Sequence, residues 1–232
     1  MISVQGVWKF FGDFAAVRDL DLEIPRGATL ALLGRNGAGK TTLLRMLAAL
    51  SSPSRGTITM GAQSLRQAAN RRRIGMIGHG IAIYDDLTAQ ENLEFFASLY
   101  GVPEAGRQIA QWLETTGLAR VRRSLAREFS RGMRQRLAIA RAFLHQPEIL
   151  LLDEPFTALD DRATALLSEL IEKAREQNAS IVISTHQLRE AMALATEVAI
   201  LERGRLTFRG PCTDQVRSAP EQFYRRHTEP AA

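Results

Sequence analysis

The eight residues Gly34-Arg35-Asn36-Gly37-Ala38-Gly39-Lys40-Thr41 constrain this chain more than any other stretch. They follow a short apolar run, Thr29–Leu33, that reads as a strand, and they open a helical pattern over Lys40–Leu50. Glycines in such a turn let the backbone curl until successive N–H groups point inward at one centre. The helix N-terminus adds a partial positive charge at the same place, so the turn is built to cradle phosphate. The spacing GxxxxGK[ST] sends Lys40 to the β- and γ-phosphates and the Thr41 hydroxyl to Mg²⁺. Residues 34–42, Thr42 included, are therefore the predicted nucleotide-binding set.

Short apolar strands alternate with helical patterns along the rest of the chain. Ile2–Trp8 and Ala15–Ile24 alternate at period two, and Gly56–Met60 and Ile74–Ile77 are further strand candidates. Ile149–Leu152 and Ser180–Ser184 are apolar runs of the kind buried on both faces of a parallel sheet. Between Ile77 and Ile149, residues 80–128 carry helical signals only. Thr88-Ala-Gln-Glu91 has capping-box spacing, a helix runs to Tyr100, and a second is predicted over Glu104–Thr115. Helices are also predicted over Ser130–Leu144, Asp161–Glu176 and Gln187–Ala195, and Val198–Leu201 is predicted to pair with Leu206–Phe208 as a hairpin. Residues 61–73 read as polar without an element, and the end of the chain as a short helix with a loose tail. The class is α/β with a mostly parallel core and a helical insertion.

Composition excludes several alternatives. A single cysteine, Cys212, forbids an intramolecular disulfide framework and has no partner for a metal. No apolar run approaches the ~18 residues of a membrane span, and the N-terminus lacks the pattern of a secretory signal. The net charge of +5 is mild. Its densest clusters, Arg71–Arg73 and Arg120, Arg122, Arg123 and Arg127, have no interleaved aromatic residues, so they read as a solvated basic face rather than a nucleic-acid site. The second cluster is also a candidate for facing membrane subunits or anionic headgroups.

The acidic pair Asp153-Glu154 ends an apolar strand 113 residues past Lys40. There Asp153 can hold Mg²⁺ through water and Glu154 can orient or deprotonate an attacking water. Phe129-Ser130-Arg131-Gly132-Met133, with Gln135-Arg136 after it, opens a helix upstream. Thr157-Ala158-Leu159-Asp160 follows the acids, and Ser184-Thr185-His186 ends a later strand. This order of motifs resembles the nucleotide-binding subunits of ABC transporters over nearly the full length.

The resemblance implies a P-loop ATPase core (1–79 and 129–211) that includes an N-terminal antiparallel β subdomain, an inserted helical subdomain (80–128), and a C-terminal tail (212–232). It implies ATP and Mg²⁺ as cofactors, with Thr41 and Asp153 on the metal, Glu154 and His186 as catalytic groups, and Phe11 stacking on adenine. Two copies would pack head to tail, so that Ser130, Arg131, Gly132 and Asp160 reach the ATP of the partner. A transport-coupled ATPase of this type sits at the cytoplasmic side of the inner membrane, peripheral, with integral membrane subunits beside it. Contact with them falls most naturally on residues 79–100, where Ile81, Ile83, Tyr84 and Phe95 are apolar.

Two positions depart from the family pattern. The signature LSGGQ reads FSRGM here, with Arg131 for the first glycine and Met133 for the glutamine. The usual glutamine after the strand Ile74–Ile77 is His79, which can accept from water and titrate near neutrality. Its run Gly-His-Gly-Ile-Ala-Ile-Tyr-Asp-Asp-Leu-Thr resembles the ATPase of the bacterial heme exporter of cytochrome c maturation. That resemblance implies heme export. The alternatives are a drug, lipid or polysaccharide exporter, or a soluble assembly ATPase of the iron–sulfur scaffold type. His145 and His227 lack any motif and read as surface histidines.

Overall fold

Two sheets share the chain in this computed structural model, which describes residues 1–78 and 83–228. The first is antiparallel. Strands β1 (Ile2–Phe11) and β2 (Phe14–Ile24) form a hairpin, and β4 (Arg55–Met60) and the short β5 (Gln63–Ser64) extend it in the order β2-β1-β4-β5. The second sheet runs β10-β9-β3-β8-β7-β6, from strands β3 (Thr29–Leu33), β6 (Ile74–Ile77), β7 (Ile149–Asp153), β8 (Ser180–Ser184), β9 (Glu197–Glu202) and β10 (Arg205–Pro211). Every pairing in it is parallel except β9 with β10, the predicted hairpin.

The apolar strands are buried on both faces, and period two divides their side chains between two cores. Leu30, Leu32, Ile149, Leu151 and Val182 face one core, shared with the antiparallel sheet and helix α1 (Lys40–Leu47). Ala31, Leu33, Leu150, Leu152, Ile181 and Ile183 face the other. That second core is closed by α5 (Arg131–Phe143), α6 (Asp161–Glu176) and α7 (Leu188–Leu194). Each fully buried leucine contributes about 2 kcal/mol of transfer free energy, so both faces must be covered for the sheet to persist.

The helical subdomain has its own core. Helix α3 (Ala89–Tyr100) starts at the Thr88 capping box and ends at Gly101, and α4 (Ala105–Thr115) follows it. Leu93, Phe96, Ile109 and Leu113 pack there against Leu137, Ala140 and Leu144. Helix α5 thus joins the parts, since its Ile139, Ala142 and Phe143 belong to the sheet core.

Several expectations are corrected. The stretch 61–73 is not featureless: β5 pairs with β4, and α2 (Ala68–Arg71) is pinned by Asn70, whose Nδ2 donates to Ser64 O at 2.9 Å. The C-terminal residues 214–228 form two helices, α8 (Asp214–Ser218) and α9 (Pro220–Thr228), rather than one short helix, and Phe223 and Tyr224 pack on the second core. Both motif-free histidines are half-buried rather than fully exposed. The His145 ring stacks on Tyr100 at 3.9 Å, and burial drives its pKa down to about 4. His227 lies against Phe208 and Phe223, at 4.5 and 4.4 Å. Cys212 is buried, its Sγ donating to Met192 O at 3.5 Å.

Candidate functional site

Strand order builds the site. With β8 between β3 and β7, the C-terminal ends of three parallel strands lie side by side, and each is followed by a predicted motif. Ligands of open α/β sheets bind at such strand ends.

The loop after β3 is the predicted phosphate cradle. Gly34 has φ 151°, and a Cβ there would stand 2.4 Å from Leu201 O, so only glycine fits. The loop delivers Lys40, almost wholly buried, into its own concavity, where Nζ donates to Gly34 O at 2.7 Å and Arg35 O at 3.2 Å. Burial pulls the Lys40 ammonium below the ordinary lysine value, while Glu154 and Asp153 hold it up. Asn36, Gly37, Ala38, Gly39 and Thr42 line, with Phe11, a cavity of about 470 Å³ that also reaches Asp153 and Glu154. Phe11 is 56% exposed at its mouth, with the Lys9 Nζ 5.1 Å from its ring centre.

The end of β7 supplies the acids. Asp153 is 3% exposed and accepts from the Thr41 hydroxyl at 2.9 Å. A hydroxyl and a carboxylate this close are the hard oxygen donors that Mg²⁺ selects, so these residues fit the ion. Among the described residues no cluster of three or more His, Cys, Asp or Glu could hold a metal. Glu154 follows with φ 53°, left-handed for a residue with a side chain, and its N–H donates to Ser184 O at 2.7 Å. That twist turns its carboxylate toward the end of β8. There Oε2 accepts from the Thr185 hydroxyl at 2.9 Å, lies 2.8 Å from His186 Nδ1, and takes the His186 N–H at 3.4 Å.

The structure therefore brings Lys40, Thr41, Asp153, Glu154 and His186 together. Thr185 belongs with them and was not singled out in the sequence. Its signal was position alone, between a strand end and the histidine.

The signature residues sit elsewhere. Ser130 caps α5, its Oγ accepting from Met133 N at 3.2 Å, and Arg131 is exposed on the first turn. Asp160 caps α6 in the same way, accepting from Ala163 N at 2.8 Å. A Cβ on Gly132 would meet Ala158 O at 3.2 Å, so the two segments touch. Neither lines the cavity of the phosphate loop. His79, like Ile81, lies outside the described residues.

A larger groove, about 860 Å³, runs from Thr41 and Asp153 to the helical subdomain, where Phe96, Leu99, Tyr100 and His145 form its wall. Tyr84 and Phe95 meet edge to face at 5.0 Å and are about half exposed, while Ile83 packs into the helical core. Arg120, Arg122, Arg123 and Arg127 are exposed. Among the described residues no helix is long and apolar enough to cross a membrane.

Known proteins resemble this chain in sequence and fold. The family model described as ABC transporter matches residues 17–157. The ABC transporter ATP-binding protein NatA of Bacillus subtilis is 40% identical over 200 residues, which is 84% of this chain and 81% of that protein. The daunorubicin resistance ATP-binding protein DrrA3 of Streptomyces coeruleorubidus is 38% identical, over 90% of this chain and 67% of that one. A solved dimeric ATP-binding cassette, in a post-hydrolysis state with ADP and Pi, superposes with a TM-score of 0.82 at 25% identity, covering 92% of this chain and 99% of its own.

Proposed function

Because the chain belongs to the ABC transporter family, as an ATP-binding domain with ATPase chemistry, we propose that it hydrolyses ATP between two copies of itself and so drives a membrane transporter. The observation that carries this is the meeting of Lys40, Thr41, Asp153, Glu154 and His186 at the ends of three adjacent strands.

Phe11 stacks on adenine, and the amides of residues 34–42 with the Lys40 ammonium hold the β- and γ-phosphates. Thr41 and Asp153 would hold Mg²⁺, which when bound would neutralise charge on the phosphate oxygens. Glu154 accepts a proton from the attacking water. Thr185 fixes its carboxylate, and His186 moves between that carboxylate and the γ-phosphate. Ser130, Arg131 and Gly132, at a helix N-terminus, and Asp160 act on the ATP of the second copy, as the family resemblance implies and the dimeric neighbour supports.

The chain is peripheral at the cytoplasmic face of the membrane in this reading. Its integral membrane partners meet residues 79–100, whose Phe96, Leu99 and Tyr100 wall the large groove. The cargo is chosen by those partners. The DrrA3 relative, a daunorubicin resistance protein, supports a cargo of drugs or similar molecules. Heme export has its support in the run Gly78–Thr88, which resembles the heme-exporter ATPase. Co-purifying the chain with its membrane partners and identifying their cargo separates the two.

The test of the core reading is specific ATPase activity against protein concentration. It should rise as two copies meet. A constant value removes the dimer, and no activity at any concentration removes the proposal.

A further inference from the structure

A strut of side chains joins the turn at residues 84–88 to the first turn of α5. Asp85 Oδ1 accepts from Arg134 Nη2 at 2.5 Å. Arg134 stands one turn past Ser130, and its own N–H donates to Ser130 O at 2.9 Å. Its Nη1 donates to Ala126 O at 3.0 Å, so this one residue touches the turn, the chain before the signature and the signature itself. Both ends of the strut are anchored. Phe129 and Leu137 are buried in the helical core on either side of the signature turn. Asn92 on α3, 1% exposed, holds the far end. Its Oδ1 accepts from Tyr84 N at 2.8 Å, and its Nδ2 donates to the carbonyls of Tyr84, Leu87 and Thr88 at 2.9–3.2 Å. A second pair, Arg127 with Asp86 at 3.0 Å, has side chains 59% and 87% exposed and contributes little. The Arg134 side chain is 23% exposed, so its bonds are the ones that can hold a geometry.

We propose that Asp85 is a positioning residue of the signature: through Arg134 it fixes the first turn of α5, which presents Ser130 and Gly132 to the ATP of the second copy. The proposal rests on the dimer reading above. Ser130 is exposed and does not line the phosphate cavity of its own chain, so its place is set by what lies behind it. The backbone bond from Arg134 to Ser130 makes guanidinium and signature turn one unit, and a carboxylate that holds the first holds the second. The phosphate loop contributes nothing to the strut. Its effect therefore falls on the meeting of two copies and not on ATP held by one. An ion pair with one partner half exposed is worth up to about fivefold in an equilibrium, which bounds the effect.

Three measurements on the full chain test this: the protein concentration giving half-maximal specific ATPase activity, the ATP affinity below that concentration, and the thermal midpoint. Asp85→Ala should raise the first about fivefold, with ATP affinity within about twofold and the midpoint within about 3 °C of wild type. Arg134→Met keeps the apolar stem, drops the guanidinium and should do at least as much. The double variant should be no worse than Arg134→Met alone, since one strut can be lost only once. Losses that add overturn the proposal, and so do variants that assemble within about twofold of wild type. A fall in ATP affinity or midpoint in step with the activity marks residues that only support the fold, and overturns it too. Should Asp85→Ala not fold, Asp85→Ser takes its place with the same expectations. A wild-type activity that does not depend on concentration sinks the dimer reading and this proposal together. Dependence in wild type that the variants leave unchanged sinks only the proposal.

Discussion

Replacing Glu154 by Gln removes a charge and keeps a shape, so it separates the fold from the chemistry at one atom. Oε2 of Glu154 takes the Thr185 hydroxyl at 2.9 Å and lies 2.8 Å from His186 Nδ1. A glutamine oxygen still accepts from Thr185, but as a neutral acceptor, so the structure loses about 1 kcal/mol, the difference between a charge-assisted and a neutral hydrogen bond. The chemistry loses far more. A positioned proton acceptor is worth about 10²–10⁴ in rate, or roughly 3–5 kcal/mol of barrier. Phosphate release should therefore fall by two to four decades, on the order of that acceptor's worth, while ATP affinity stays close to wild type. With hydrolysis blocked, light scattering should show ATP holding two copies together. Turnover at the normal rate in this variant would mean that Glu154 is not the proton acceptor. A Thr185→Val companion sharpens the result, since it removes only the donor that fixes the carboxylate. It should cost about tenfold in kcat, the worth of one hydrogen bond to a charged group, with binding unchanged. A Thr185→Val enzyme as fast as wild type removes the orienting role.

Three further outcomes are expected. A Cβ on Gly75 would stand 2.3 Å from Ala142 O and 2.8 Å from Pro147 Cγ, so Gly75→Ala should force β6 from α5 and destabilise the chain by about 1–3 kcal/mol, read as a lower thermal midpoint. His145, held near pKa 4 against an ordinary 6.5 by burial, is neutral in both folded and unfolded chains above pH 6.5. Below that the unfolded chain takes the proton first, so its contribution to stability is lost as pH falls from 6.5 toward 4, by about 3 kcal/mol in all. Denaturant titrations of His145→Gln should show a flatter pH dependence in that window, and an unchanged slope refutes the assignment. Phe11→Ala should weaken ATP binding about tenfold by removing an aromatic stack, with binding of inorganic triphosphate unaffected.

Local signals in this sequence were strong enough to read directly. Asp161–Glu176 and Ser180–Ser184 fall where periodicity placed them, and Thr88 caps α3 as its spacing with Glu91 predicts. The phosphate loop was legible because its geometry tolerates few sequences, as the contact between Gly34 and Leu201 shows. What could not be read depends on pairing at long range. Nothing near Thr29–Leu33 announces that it lies between β8 and β9, more than 145 residues away. His145 and Tyr224 owe their surroundings to residues such as Tyr100 and Arg35, far from them along the chain. The stretch 61–73 was too polar to show a pattern, yet Asn70 ties it together, its Nδ2 donating to Ser64 O and its Oδ1 accepting from Arg73.

The left-handed backbone at Glu154 carries a lesson about mutational drift. A residue with a Cβ held at φ 53° gives up about 1 kcal/mol that glycine would not. A glycine would recover that strain, but it would strip the acceptor from the buried Thr185 hydroxyl, which costs about 1–3 kcal/mol. Twist and hydrogen bond thus oppose each other at one position, and the acid is kept by the fold as well as by the reaction. A relative that has lost hydrolysis is therefore expected to keep a hydrogen-bond acceptor at the residue after β7 before it takes glycine there.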